Sequence, residues 1–140
     1  LPASFCNLVG VRSTPGLISR RGCNPLVGFQ DTVGPMARSV EDAARVFDVL
    51  VGYDANDPLT CAYIAARAPA SYLDGLTPDA LTGMRIGVLR TAFGRDDDEA
   101  SAPVNRVMDA ALGDLVAGGC TLVDLELPGL AEHVVESSLY

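Results

Sequence analysis

Residues 84–127, MRIGVLRTAFGRDDDEASAPVNRVMDAALGDLVAGGCTLVDLEL, set the fold class of this chain. MRIGVLR (84–90) is rich in β-formers and CTLVDLEL (120–127) resumes an alternating apolar pattern, so both ends predict strands. Between them Val104, Val107, Met108, Ala111, Leu112, Leu115 and Val116 fall on one stripe at helical spacing. Pro103 suits the first turn of that helix, and Gly118-Gly119 ends it. Strand, helix and strand in this order predict a βαβ unit over 84–127, with parallel strands and a right-handed crossover. The class is α/β. Downstream, residues 132–140 read as the beginning of another helix.

Upstream, residues 53–83 carry Asp54, Asp57, Pro58, Pro69, Gly75, Pro78 and Gly83 and read mostly as connection, with a helical turn or two over 63–67 and another starting at Pro78. A well-marked helix precedes them. Ser39 offers an N-cap oxygen with Asp42 three residues on, and Val40, Ala43, Ala44, Phe47, Leu50 and Val51 share a stripe that stops at Gly52. Its other face carries Glu41, Arg45 and Asp48, read as a solvated face with Glu41 and Arg45 at pairing distance. Residues 1–35 are punctuated by Pro, Gly and Ser, as short strands and tight turns require. Thr14-Pro15-Gly16 predicts a turn and Val9–Arg12 a short strand. No internal repeat or low-complexity tract interrupts the 140 residues.

At 49% hydrophobic content the chain can bury a core of ordinary size, and its longest apolar runs are far below the roughly 20 residues that span a bilayer. A net charge of -8 opposes binding to nucleic-acid phosphates. Neither nucleic acid nor membrane is an expected partner. The four cysteines, Cys6, Cys23, Cys61 and Cys120, form no close pair and are expected to be buried free thiols. Leu1 is not an initiator and no targeting pattern begins the chain, so a missing or processed N-terminus and a cytoplasmic location are expected.

The sequence carries no recognisable self-contained active site. All ten basic residues are arginines, which are poor proton shuttles near neutral pH. The one histidine, His133, lies in an acidic helical segment far from any serine elbow. Cys6-Asn7 lacks a base to raise the thiolate fraction. Asp96-Asp97-Asp98-Glu99 lacks the alternation and central glycine of a calcium loop and reads as a solvated acidic loop. Asp54 and Asp57 read as backbone caps flanking a turn. No phosphate-binding glycine loop is present, and with a single histidine a zinc site is not expected. Accordingly no catalytic, cofactor-binding or metal residue is assigned, and no cofactor is expected.

Two stretches carry a resemblance: LPASFCNLVGVRSTPGLIS (1–19) and FQDTVGPMARSVEDAARVFDVLVGYDANDP (29–58). With P-A-S-F-C, T-P-G-L-I-S and G-P-M-A-R-S-V-E-D-A in this order, the chain resembles the amidase-signature enzymes. LTGMRIGVLRTAFG (81–94) and GGCTLVDLELP (118–128) fit more loosely. The resemblance implies a hydrolase that cleaves a small-molecule carboxylic amide through an acyl-enzyme, using a Ser, cis-Ser, Lys triad. It places the nucleophile in a G-G-S-[IV]-R-x-P-A stretch of which only Leu1, Pro2 and Ala3 remain, so the triad would lie upstream. Residues 1–140 would then be the central portion of one amidase domain, part of a mixed β-sheet covered by helices, inactive alone and marginally stable or prone to aggregate. Residues 2–7 would fix the nucleophile's loop, with Phe5 and Cys6 packed behind it, and Arg38 would be an anchor rather than a substrate clamp. Asn7 departs from the Gly of many relatives and Ser13 from the usual Pro. An allophanate-hydrolase-like or transamidase-type relative, a non-catalytic scaffold that kept the fold, and homodimerisation of the full-length protein all stay open.

Overall fold

The computed structural model describes residues 2–65, 68–130 and 132. It divides into two compact units, Leu1–Thr77 and Pro78–Tyr140.

The first unit begins with a one-turn helix, α1 (Pro2–Phe5), followed by strand β1 (Val9–Gly10). β1 pairs antiparallel with β2 (Met36–Ala37), Val9 opposite Ala37 and Gly10 opposite Met36. The predicted strand over 9–12 is thus shorter, although the Val11 N–H extends the pairing to the Pro35 carbonyl at 3.0 Å. Helix α2 (Val40–Leu50) starts where the sequence places it, with the Ser39 hydroxyl accepting from the Asp42 N–H at 3.0 Å. Its buried face is Ala43 and Phe47, which with Ile18 forms the apolar centre of this unit. The chain leaves α2 at Val51, which bridges to Ile18, and the Gly52 N–H donates to the Leu17 carbonyl at 3.0 Å. A 3₁₀ turn (Pro58–Thr60), helix α3 (Cys61–Ala65) and a second 3₁₀ turn (Tyr72–Gly75) complete the unit. Tyr72 meets Phe47 edge to face, with ring centroids 4.6 Å apart.

In the second unit, β3 (Arg85–Val88) and β4 (Thr121–Asp124) are parallel and in register, Arg85 with Thr121 through Val88 with Asp124, and the connection carries α4 (Ser101–Ala117). This is the expected βαβ arrangement, and the α/β class holds, with one antiparallel and one parallel pair among the described residues. β3 ends early because the chain turns at Leu89 into a 3₁₀ turn, Arg90–Ala92. α4 closes on Gly118 and Gly119. The Cys120 N–H reaches the Leu115 carbonyl at 3.1 Å and the Gly119 N–H reaches Val116 at 3.0 Å, with Gly119 at φ +97°, a Schellman closure. Pro103 lies in the first turn, where its missing N–H costs nothing.

Several expectations need correction. Pro78 opens turns, not a helix. Of the α4 stripe, Leu112 is buried, but Val104 and Val107 are 59% and 69% exposed, because the apolar sector of the helix is wider than the two-stranded ladder it covers. Asn105 is buried instead, its amide donating to the Gly94 carbonyl and the Asp96 carboxylate at 2.7 and 2.8 Å. Of the cysteines only Cys120 is buried; Cys6, Cys23 and Cys61 are exposed free thiols on short turns and helix ends that no other described element covers. Phe5 is 87% exposed and Cys6 is exposed as well; the loop they are expected to pack behind is not among the described residues. The expected helix over 132–140 and His133 lie outside the described residues, apart from Glu132.

Candidate functional site

The polar chemistry of the first unit concentrates around one knot of side chains. Gly16 makes it possible. Thr14-Pro15-Gly16-Leu17 is a tight turn closed by the Leu17 N–H on the Thr14 carbonyl at 3.1 Å, with Pro15 at its first corner and Gly16 at φ +88°. A Cβ on Gly16 would lie 2.5 Å from the Leu59 carbonyl oxygen, so the turn and the 3₁₀ turn at 58–60 approach each other only because that position is bare.

That approach delivers Ser19 and Arg20 to the two aspartates that the sequence marks as caps. Asp57 caps the 3₁₀ turn through the Leu59 N–H at 3.1 Å and accepts from the Arg20 N–H at 2.8 Å. Asp54 accepts from the Ser19 hydroxyl at 2.7 Å and from the Asn56 N–H at 2.8 Å. Thr60, fully buried, locks both: its hydroxyl lies 2.9 and 2.7 Å from the Asp54 and Asp57 carbonyls and accepts from the Asp54 N–H at 2.9 Å. The capping role is therefore observed, with a wider set of partners. The Ser19 hydroxyl, then the Asn56 donors, hold the Asp54 carboxyl below its ordinary range. For Asp57 the Arg20 backbone N–H does the same and outweighs the opposing effect of burial.

The Arg20 guanidinium lies 3.5 Å from Asp57 and also donates to the Gly28 carbonyl, folding residues 20–31 over an open cleft of about 430 Å³. Asp31 fixes the far end of that segment by accepting from the Leu26 and Val27 N–H groups at 2.8 and 3.0 Å. A second cleft, about 520 Å³, shares Asp31 and Thr32 with the first and is walled by Pro2, Ala3, Gly10, Arg12 and Met36. Arg12 donates to the Gln30 carbonyl at 3.1 Å across it.

α1 borders this second cleft. It is closed by the Asn7 N–H on the Ser4 carbonyl at 3.3 Å and the Leu8 N–H on Ala3 at 2.8 Å, with Asn7 at φ +53°. That is again a Schellman closure, and it explains how Asn stands in for Gly here: Asn is among the few residues that tolerate the left-handed region.

Other sequence candidates fall outside this cluster. Asp48 is not a solvated charge: it accepts from the Ser71 hydroxyl at 2.5 Å and the Tyr72 N–H at 2.7 Å, and these two bonds, in that order, lower its carboxyl. Glu41 and Arg45 do pair on the surface of α2. Arg38 is exposed and has no ion-pair partner among the described residues. In the acidic loop, Asp98 accepts from the Ser101 N–H at the start of α4, Asp97 pairs with Arg95, and Asp96 receives Asn105. Among the described residues no group of three or more His, Cys, Asp or Glu is placed to hold a metal, and no helix is long and apolar enough to cross a membrane. Sequence reasoning missed Arg20, Thr60, Asp48 and Asn105. Only Thr60, three residues past Asp57, sits at a spacing that local capping patterns would have flagged.

Comparison with known proteins agrees with this architecture. The chain is 41% identical over 135 residues to a subunit of the glutamyl-tRNA(Gln) amidotransferase of Oleidesulfovibrio alaskensis, covering 96% of this chain and 26% of that protein. Among solved structures, it resembles the native peptide amidase from Stenotrophomonas maltophilia with a TM-score of 0.72 at 32% identity, covering 92% of this chain and 26% of the other. An amidase family protein from Bacillus anthracis gives a TM-score of 0.70 at 34% identity, over 87% of this chain and 23% of the other. The chain thus spans about a quarter of the length of these relatives. The family described as Amidase matches residues 1–140 throughout, and the chain belongs to the amidase family.

Proposed function

We propose that this chain is the central portion of a cytoplasmic amidase domain that hydrolyses a small-molecule carboxylic amide through a serine acyl-enzyme, with the nucleophile, the cis-serine and the lysine all supplied by residues outside these 140. The observation that carries this reading is the family match over residues 1–140, in a chain whose α1 begins at the Pro-Ala that ends the expected nucleophile stretch. The work of this chain is then mechanical and electrostatic. β1 and β2 hold α1, and the knot around Asp54 and Asp57 holds residues 20–31, so that the clefts beside them keep their shape when substrate enters.

The full-length protein tests this directly. It should release ammonia or amine from a carboxylic amide and be labelled by a serine-directed fluorophosphonate, and replacing the serine expected three residues before Leu1 by alanine should abolish both. A protein that is neither labelled nor active on amides would leave the scaffold reading in its place. The similarity to an amidotransferase favours a second form of the reading, in which the released ammonia passes to an acceptor on a partner. Amide hydrolysis that rises only when partner proteins are added would select that form.

A further inference from the structure

α1 has few attachments. At its carboxyl end it is closed by Asn7 in the left-handed region, through the Ser4 and Ala3 carbonyls. Along its side it rests on β1 at Gly10, so closely that a Cβ on Gly10 would stand 2.5 Å from the Ala3 Cβ. β1 is in turn paired to β2, which runs through Ser39 into α2, whose Phe47 and Ala43 are buried. A continuous path therefore links a packed core to Pro2, with two positions where backbone geometry, rather than side-chain chemistry, decides the outcome. Gly34 tightens it further, since a Cβ there would overlap the Val11 carbonyl.

We infer that Asn7 and Gly10 are positioning residues for the reaction: the left-handed closure at Asn7 and the bare contact at Gly10 set where α1 holds Pro2 and Ala3 on the cleft walled by Arg12, Thr32 and Met36. This rests on the proposed function, because only there does the segment preceding Pro2 carry the nucleophile. Neither residue is assigned a part in making or breaking bonds. Each acts by fixing an angle and a distance, and a displacement of about 1 Å at a nucleophile is enough to cost up to about 100-fold in rate.

The test uses the full-length protein with active sites counted by stoichiometric fluorophosphonate labelling, so that a loss of folded molecules is divided out. Asn7→Gly keeps the left-handed conformation and should retain the wild-type kcat per labelled site. Asn7→Val opposes that conformation and Gly10→Ala pushes on Ala3. Both should lower kcat and the rate of labelling by about 10- to 100-fold while KM stays near wild type. If Asn7→Val fails to accumulate, Asn7→Ala and Gly10→Ala read the same split. Variants with wild-type kcat per labelled site, or losses carried entirely by KM, would overturn the inference while leaving the amidase reading intact. A wild-type protein that neither takes the label nor hydrolyses an amide would remove both, and the two failures are distinguishable in one experiment.

Discussion

At the scale of single residues, the aspartates of the first unit work as fixed acceptors, and this gives them a pH signature. Asp48, Asp54 and Asp57 each have a carboxyl lowered from the ordinary value by hydrogen bonds made only in the folded chain. A carboxyl lowered on folding stabilises the fold fully above its unfolded pKa of about 4, and that contribution is lost as pH falls through the lower folded value. Hydrogen-exchange protection of the 54–60 and 71–73 amides, corrected for intrinsic rates, should therefore be flat from pH 7 to about 5 and fall in acid. In Asp48→Asn the 71–73 segment should be less protected at pH 7 and its residual protection should lose most of the acid dependence; an unchanged acid limb would show that other groups control it. Thr60 makes a different point. Its hydroxyl serves three backbone groups with no exposure at all, so Thr60→Val, nearly the same shape, should cost about 1–3 kcal/mol in chemical denaturation by stranding the Asp54 N–H, while the Asp54 and Asp57 carbonyls keep their bonds from the Asp57 and Thr60 N–H groups.

At the scale of elements, most starts and stops were legible, and the faces were not. Ser39 with Asp42, Thr14-Pro15-Gly16 and Gly118-Gly119 each specify a local backbone conformation, so the sequence carries their meaning within a few residues. Burial depends on what lies opposite, which no local pattern contains. Asp48 looks solvated on a helical wheel until residues 71–72 arrive from 23 positions away, and Asn105 looks like a gap in an apolar stripe until the acidic loop folds over it. The same reasoning marks Asn105→Leu as a poor exchange despite the added hydrophobicity, because the Gly94 carbonyl loses its donor. Replacement by Leu or Ala should cost about 1–3 kcal/mol in denaturant unfolding, comparable with the lower part of the range expected for Leu112→Ala, about 2–5 kcal/mol. An Asn105→Leu protein as stable as wild type would show that the α4 start does not depend on that amide. The clefts belonged to the same illegible class: Arg20 carries no motif, and its reach to Asp57 and Gly28 exists only because the Gly16 turn brings the two segments together.

At the scale of the whole molecule, the apolar surface is larger than its elements can cover. Phe5, Val49, Val107 and Val104 are 87%, 84%, 69% and 59% exposed, and among the described residues both strand pairs are only two strands wide, which leaves open edges in each unit. Exposed apolar residues favour association where they neighbour one another, as Val104 and Val107 do on α4, and a two-stranded sheet gains too little burial to be stable by itself. A net charge of -8 adds mild self-repulsion without masking those residues. Residues 1–140 expressed alone should therefore associate or melt without a sharp transition, as followed by light scattering and calorimetry. The cause can be located on α4, because Val104 and Val107 are one turn apart on its uncovered side while Leu112 and Asn105 face inward. Val104→Glu with Val107→Lys should reduce scattering of the isolated chain while leaving its helix content unchanged, and in the full-length protein the same pair should instead destabilise if that face is covered there. A wild-type 140-residue chain that stays monomeric and unfolds cooperatively would mean that the two units bury enough between their own elements to stand alone, and that the exposed valines are ordinary surface.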